Sequence, residues 1–254
     1  MPITGVAAFQ HRGFSQSLKR KVAAQLAVGL AGILTLSNVA AVEATAVCEI
    51  DRPVRFVAMD WDSNRLLLEV ERFIIEQGYG CSTEVQSAEV LDGVKALEQG
   101  DVDVHSEVWL SSVSAPWQEA ESSGQVKRLG ELYLGGGGSF APDAVKEAVE
   151  QAQADDELIG GCGADANCSE DPLAYPEHAV FTGLNTRFSE QTPQLSAFFA
   201  NVRIEPDLMA NTLKAMQASS INAEEAARQF LSENEDVWAQ WLPMHVTLRV
   251  KGAL

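Results

Sequence analysis

Between residues 54 and 109 the apolar pattern switches repeatedly between strand and helix periodicity, and that alternation leaves the chain few folds. Residues 54–59 (VRFVAM) are a short β-branched and aromatic run, a strand signal; Leu66, Leu67, Val70, Phe73 and Ile74 then recur at helical spacing. Asp62 or Ser63 can cap that helix, and Gly78 and Gly80 end it. Residues 81–86 read as a second strand, Val90, Leu91, Val94 and Leu97 as a second helix closed by Gly100, and residues 101–109 (DVDVHSEVW) as a third strand. Strand-helix-strand-helix-strand implies a right-handed parallel α/β unit. Such sheets hold ligands at the carboxyl ends of their strands. Asp60-Trp61 and Glu107 to Trp109 fall at those ends.

Farther along, residues 125–134 hold another short strand. Gly135 to Gly138 and Ser139 then break the chain with the composition of a flexible linker. Pro142 starts a helix with Val145, Ala148, Val149 and Ala152 on one face. Residues 155–176 are a Gly/Asp/Pro-rich loop, and residues 179–183 a strand candidate. From Arg187 to Leu254 the pattern is helical, with Asn222 and Glu225 spaced as a capping box.

Residues 1–46 read as an export signal. His11, Arg12, Lys19, Arg20 and Lys21 form a basic start, and residues 22–36 an apolar run. That run is shorter than the about 20 residues a membrane span needs. Small residues follow it, offering cleavage after Val39-Ala40-Ala41 or after Ala44-Thr45-Ala46; an uncleaved anchor is the rival reading. Export makes an even cysteine count a disulfide signal. Cys162 and Cys168 lie six apart in a Gly-rich loop, while Cys48 precedes the first strand and Cys81 opens the second, so two bridges are expected. A zinc site is the alternative, though the spacing is wide and His178 is the nearest histidine.

Lys plus Arg number 18 against 36 Asp plus Glu, a net charge of −18. Phosphate backbones and anionic lipid both need a cationic face, so the charge balance argues against a nucleic-acid partner and against docking on a charged membrane. No phosphate loop, H-E-x-x-H or G-x-S-x-G is present. Asp101, Asp103 and Glu107 share one face by strand alternation, but close carboxylates are expected by chance in so acidic a chain. A hydrolase using Asp60, Glu107 and His105 lacks a poised nucleophile. The tryptophans say more: aromatic content is 7%, yet Trp61, Trp109 and Trp117 all lie in the first α/β unit. Tryptophan faces attract a quaternary ammonium, which has no hydrogen-bond donor to satisfy. Core packing accounts for them equally well.

Three segments, VRFVAMDWDSNRLLLEVERFIIEQGYGC, GDVDVHSEVWL and NAEEAARQFLSENEDVWAQWL, resemble the glycine betaine/choline-type substrate-binding proteins of ABC transporters. That family places a Trp after its first strand, here Trp61. Its D-(I/V)-x-x-E-x-W segment is matched by Asp103, Val104, Glu107 and Trp109. Its C-terminal motif is matched by Ala227, Phe230, Leu231, Glu233 to Trp238 and Trp241. In one branch, cysteines recur as Cys48, Cys81, Cys162 and Cys168 do here. The similarity covers roughly residues 47–140 and 162–254.

The resemblance implies an α/β, periplasmic binding protein-like (type II) fold with a parallel-rich sheet flanked by helices. It implies capture of glycine betaine, choline or a similar quaternary ammonium for an ABC importer permease. The protein would be a periplasmic monomer without enzymatic activity or cofactor. The ligand-binding residues would be Trp61, Trp109, Phe140, Asp60 and Glu107. The departure from the family lies in the middle. Ser139 stands where the family has a Trp, and only residues 141–161 separate this point from the Cys162 loop. A second lobe would need on the order of 100 residues. Lobe one is therefore expected from about 47–134 and 179–254, with 135–178 a short insert in place of the second lobe. The alternative function is a single-lobe remnant that acts through a protein partner and binds no small molecule.

Overall fold

The computed structural model describes residues 47–133, 140–143, 145–147 and 179–254. The expected signal segment and the Cys162–Cys168 loop lie outside them. Within the described residues the expected strands and helices form, and their residues dictate the layering; most of the helix expected from Pro142 lies outside them. Strands β1 (Val54–Ala58), β2 (Thr83–Ser87), β3 (Val104–Trp109), β4 (Val126–Glu131) and β5 (Val180–Asn185) make one five-stranded sheet in the order β2-β1-β3-β5-β4. β2, β1 and β3 are parallel, with Phe56 registered against Val85 and Val104. β5 is antiparallel to both of its neighbours.

Alternation along β1 sends Phe56 to one face and Val57 to the other. On the first face Phe56, Val104 and Leu184 meet helix α1 (Asp62–Phe73) through Leu66, Leu67 and Val70. The helices after β5 complete this core: α4 (Thr186–Gln191), α5 (Pro193–Asn201), α6 (Pro206–Ser219), α7 (Ala223–Glu233), α8 (Glu235–Trp238) and α9 (Met244–Ala253). On the second face Val57, Met59 and Phe181 pack on α2 (Val90–Gln99) and α3 (Leu110–Ser122) through Val94, Leu97 and Trp117. Trp117 is therefore a core residue of that face, ring against Phe181 at 4.7 Å between centroids.

Two local details depart from the expectation. Neither Asp62 nor Ser63 caps α1; the cap position is Trp61, and the Ser63 hydroxyl is drawn elsewhere. The helix does not run evenly to Gly78. After Phe73 it widens into a π-helical turn over Ile74–Tyr79, ended by Gly80 at φ 72°. Asn222 caps α7 as its motif requires, its Oδ1 accepting from the Glu225 amide at 2.9 Å. Cys48 and Cys81 are joined, tying the segment before β1 to the start of β2.

Gly183 in β5 shows how tightly the second face is filled. A Cβ there would lie 2.7 Å from Trp117 Cη2 and 3.1 Å from Leu97 Cδ2. Overpacking of this kind costs about 1–3 kcal/mol. Gly183→Ala should lower the thermal midpoint accordingly; an unchanged midpoint would mean that the Trp117 ring yields at no cost.

Candidate functional site

Two irregularities in the ladder shape the site. Between the pairs His105–Gly183 and Val108–Phe181, β3 spends one residue more than β5. A bulge of this kind re-aims a side chain. It puts Ser106 and Glu107 on the same face as α1: Ser106 donates to Glu71 of α1, and Glu107 accepts from Ser63 of α1. Simple alternation would have sent Glu107 to the other face, with His105. β4 carries a matching irregularity opposite the same stretch of β5, between Arg128 and Glu131.

The Glu107 carboxylate is fully buried and gathers four donors. Its Oε1 accepts from Ser63 Oγ at 2.8 Å, Trp109 Nε1 at 3.1 Å and Tyr133 Oη at 3.3 Å. Its Oε2 accepts from Trp61 Nε1 at 3.0 Å. Burial pushes its pKa up to about 7, although every one of those donors favours the charged form. Tyr133 is raised well above the ordinary phenol value by burial and by the Glu107 charge. Glu71, also fully buried, is pushed up to about 8 by desolvation against the pull of Ser106, with Glu107 adding to the rise.

Above this layer opens a cavity of about 550 Å³. Trp61 and Phe140 supply its aromatic surface, and Ala210, Leu213, Lys214 and Gln217 of α6 form one wall. Phe140 stands edge-on to Tyr133 at 4.8 Å and to Trp109 at 6.3 Å. The rim is charged. Arg65 pairs with Asp60 and lies 3.4 Å from Asp62, and Gln217 donates to Asp62 at 3.2 Å.

The residues singled out from sequence are thus distributed in two tiers. Trp61, Asp60 and Phe140 line the cavity. Trp109 and Glu107 lie buried behind it. Asp103 does not join Glu107: it accepts from Arg52 at 2.6 Å and from Arg55 at 2.8 Å. Burial pushes Asp103 up, but the hydrogen bonds from the two arginines outweigh it and hold the carboxyl below its ordinary value. His105 faces Gly93 of α2, and burial lowers its pKa to about 4. The hydrolase trio is therefore split between the two faces of the sheet. Tyr133, Glu71 and Lys214 escaped the sequence reading. A lone Tyr after β4 and a Lys on an amphipathic helix carry no signal; Glu71 had one, since it occupies the apolar stripe of α1.

Residues 52–154 and 169–233 match the family described as the substrate binding domain of ABC-type glycine betaine transport systems. Among solved structures the chain is similar to an ABC-transporter choline binding protein in complex with choline, at 14% identity and TM-score 0.60, covering 79% of this chain and 97% of that one. It is similar to the glycine betaine/L-proline-binding protein ProX from Borrelia burgdorferi, at 12% identity and TM-score 0.60, covering 78% and 100%. It is also similar to lactococcal OpuAC in its closed-liganded conformation with glycine betaine, at 13% identity and TM-score 0.55, covering 76% and 100%. No curated protein matches the chain.

Proposed function

Because the chain belongs to the family of substrate-binding domains of ABC-type glycine betaine transport systems, we propose that it captures a quaternary ammonium osmolyte, such as choline or glycine betaine, and presents it to an importer permease. It does so as a periplasmic monomer, after removal of residues 1–46, and makes no bonds. The observation that carries this reading is the cavity at the carboxyl ends of β1 and β3, with Trp61 and Phe140 on its surface and the Glu107 carboxylate beneath them. Aromatic faces above a buried negative charge suit a cation that cannot donate hydrogen bonds.

We further propose that this site works from one lobe. The chain between β4 and β5 is too short for a second lobe of on the order of 100 residues. A cage without a lid admits water, so binding is expected in the millimolar range, roughly −4 kcal/mol. Loss of one aromatic face removes about 0.5–2 kcal/mol, so Trp61→Ala should bind roughly 2- to 30-fold more weakly. Calorimetry with choline and with betaine tests this. Equal binding by wild type and Trp61→Ala would refute the cage. Failure of the wild type to bind either ligand at tens of millimolar, about ten times the expected Kd, would leave the single-lobe remnant that acts through a protein partner.

A further inference from the structure

The ligand-facing aromatics and the buried aromatics converge on one carboxylate that no ligand can touch. Glu107 has no exposed surface, yet it accepts both indole N–H groups, the Tyr133 hydroxyl and the Ser63 hydroxyl. We propose that Glu107 is the positioning residue of the cage and the source of its preference for a cation over a neutral molecule of the same shape. The inference rests on the ammonium reading of the cavity given above.

Three physical steps support it. The indole N–H is the only polar atom of a tryptophan side chain. With the N–H of Trp61 turned onto Glu107 Oε2, that donor is consumed inside the protein and the ring presents its face and apolar edge. The bond also fixes the ring's orientation, because a hydrogen bond to a buried ionised acceptor is stronger than one between neutral partners. Finally, an anion at the N–H edge raises the electron density of the indole face and adds its own field across a layer where water does not screen it. The carboxylate thus acts on the ligand through the rings.

The need for a bulge at this position fits the same role. A regular β3 would place Glu107 on the α2 face, away from Trp61 and from Ser63 of α1. The extra residue in β3 between His105 and Val108 is what brings the acceptor to Trp61 and Ser63. Ser63 contributes in the same direction, giving its hydroxyl to Glu107 in place of an α1 cap.

Glu107→Gln separates charge from shape. The amide oxygen can keep the three donors at the Oε1 position, but the amide NH2 then meets the Trp61 N–H, and the charge is gone. Binding of choline and of its neutral isostere 3,3-dimethylbutan-1-ol is measured at pH 8, where the wild-type Glu107 carboxylate is ionised. Glu71 is the other carboxyl facing this layer, and it is common to both proteins. The wild type should prefer choline. Glu107→Gln should weaken choline at least tenfold and change the alcohol less than threefold, so that the choline-to-alcohol ratio collapses. A variant that loses both ligands equally would make Glu107 a structural support and overturn the inference, as would a variant that binds choline like the wild type. No choline binding by the wild type would remove the ligand and take both readings down together. Should Glu107→Gln not fold, proton NMR of the wild type decides. The indole N–H signals of Trp61 and Trp109 should lie downfield and exchange slowly; random-coil shifts with fast exchange overturn the clamp.

Discussion

Unfolding should require less denaturant at pH 8 than at pH 5. Glu71 and Glu107 carry folded pKa values of about 8 and about 7, both raised by burial. A carboxyl raised above its unfolded value binds its proton more tightly in the folded state. Its stabilising contribution is complete below the unfolded value of about 4.5 and is lost as pH climbs through the folded one. His105 works in the opposite direction. Its folded pKa is lowered to about 4 by burial, so it costs stability as pH falls below its unfolded value of about 6.5. Between these two limits the two carboxyls outweigh the single histidine, and above pH 6.5 they act alone. Each pKa unit corresponds to about 1.4 kcal/mol, so the loss from pH 5 to pH 8 amounts to several kcal/mol. The net charge of −18 pushes the same way, since self-repulsion grows as carboxyls ionise. Asp103, held low by its arginines, sets the acid limit and destabilises only below the ordinary carboxylate range. Denaturation midpoints across this range test the sign. Glu71→Gln should flatten the slope throughout, and above pH 7, where Glu107 has already ionised, remove most of it. A midpoint that rises toward pH 8 would show that the two carboxyls are not held protonated.

Trp238→Ala should cost about 3–5 kcal/mol, the range for emptying a buried Trp site. Trp238 has no exposed surface, and its Nε1 donates to the Leu231 carbonyl at 2.7 Å. Truncation opens a void where α7 and α8 join and strands that carbonyl without its side-chain donor. Against a total stability of about 5–15 kcal/mol, this is a large fraction. The same variant should leave choline binding unchanged where the protein stays folded, because Trp238 does not line the cavity. Guanidinium unfolding and calorimetry on one preparation check both halves. A fall in affinity without a fall in stability would place Trp238 in the site and overturn this assignment.

Most of the scaffold is legible in the residues. The switch from period two to helical period marks β1, α1, β2, α2 and β3 within a few positions, although β3, buried on both faces, carries the polar His105, Ser106 and Glu107 at its centre. The pairing of Cys48 with Cys81 follows from β1 and β2 being neighbours. The site is less legible, for a definite reason. Strand alternation groups Asp101, Asp103 and Glu107 and separates Glu107 from Ser106. One inserted residue in the ladder reverses that grouping. No side chain in VHSEVW announces a bulge, since it arises from pairing with β5, which lies far off in sequence. Tyr133 escapes notice similarly, because its hydroxyl acquires meaning only once Glu107 has been turned toward it. The π-helical end of α1 is equally silent: Ile74 and Ile75 continue the apolar stripe whichever way the turn is wound.

The position of β5 also sets the order in which the chain can fold. β3 and β4 never pair with each other; each is completed only by β5. A nascent or translocating chain that has emerged only as far as β4 can zip β1, β2 and β3 together. The outer edge of β3 still presents its backbone N–H and C=O groups unpaired, the arrangement that invites pairing with another chain. The bulge that aims Glu107 belongs to that same pairing, so Glu107 is not turned toward Trp61 and Ser63 until β5 inserts. Closing such a long separation is entropically slow compared with local helix formation. The pairing of β5 with β3 is thus also the event that completes the cavity floor.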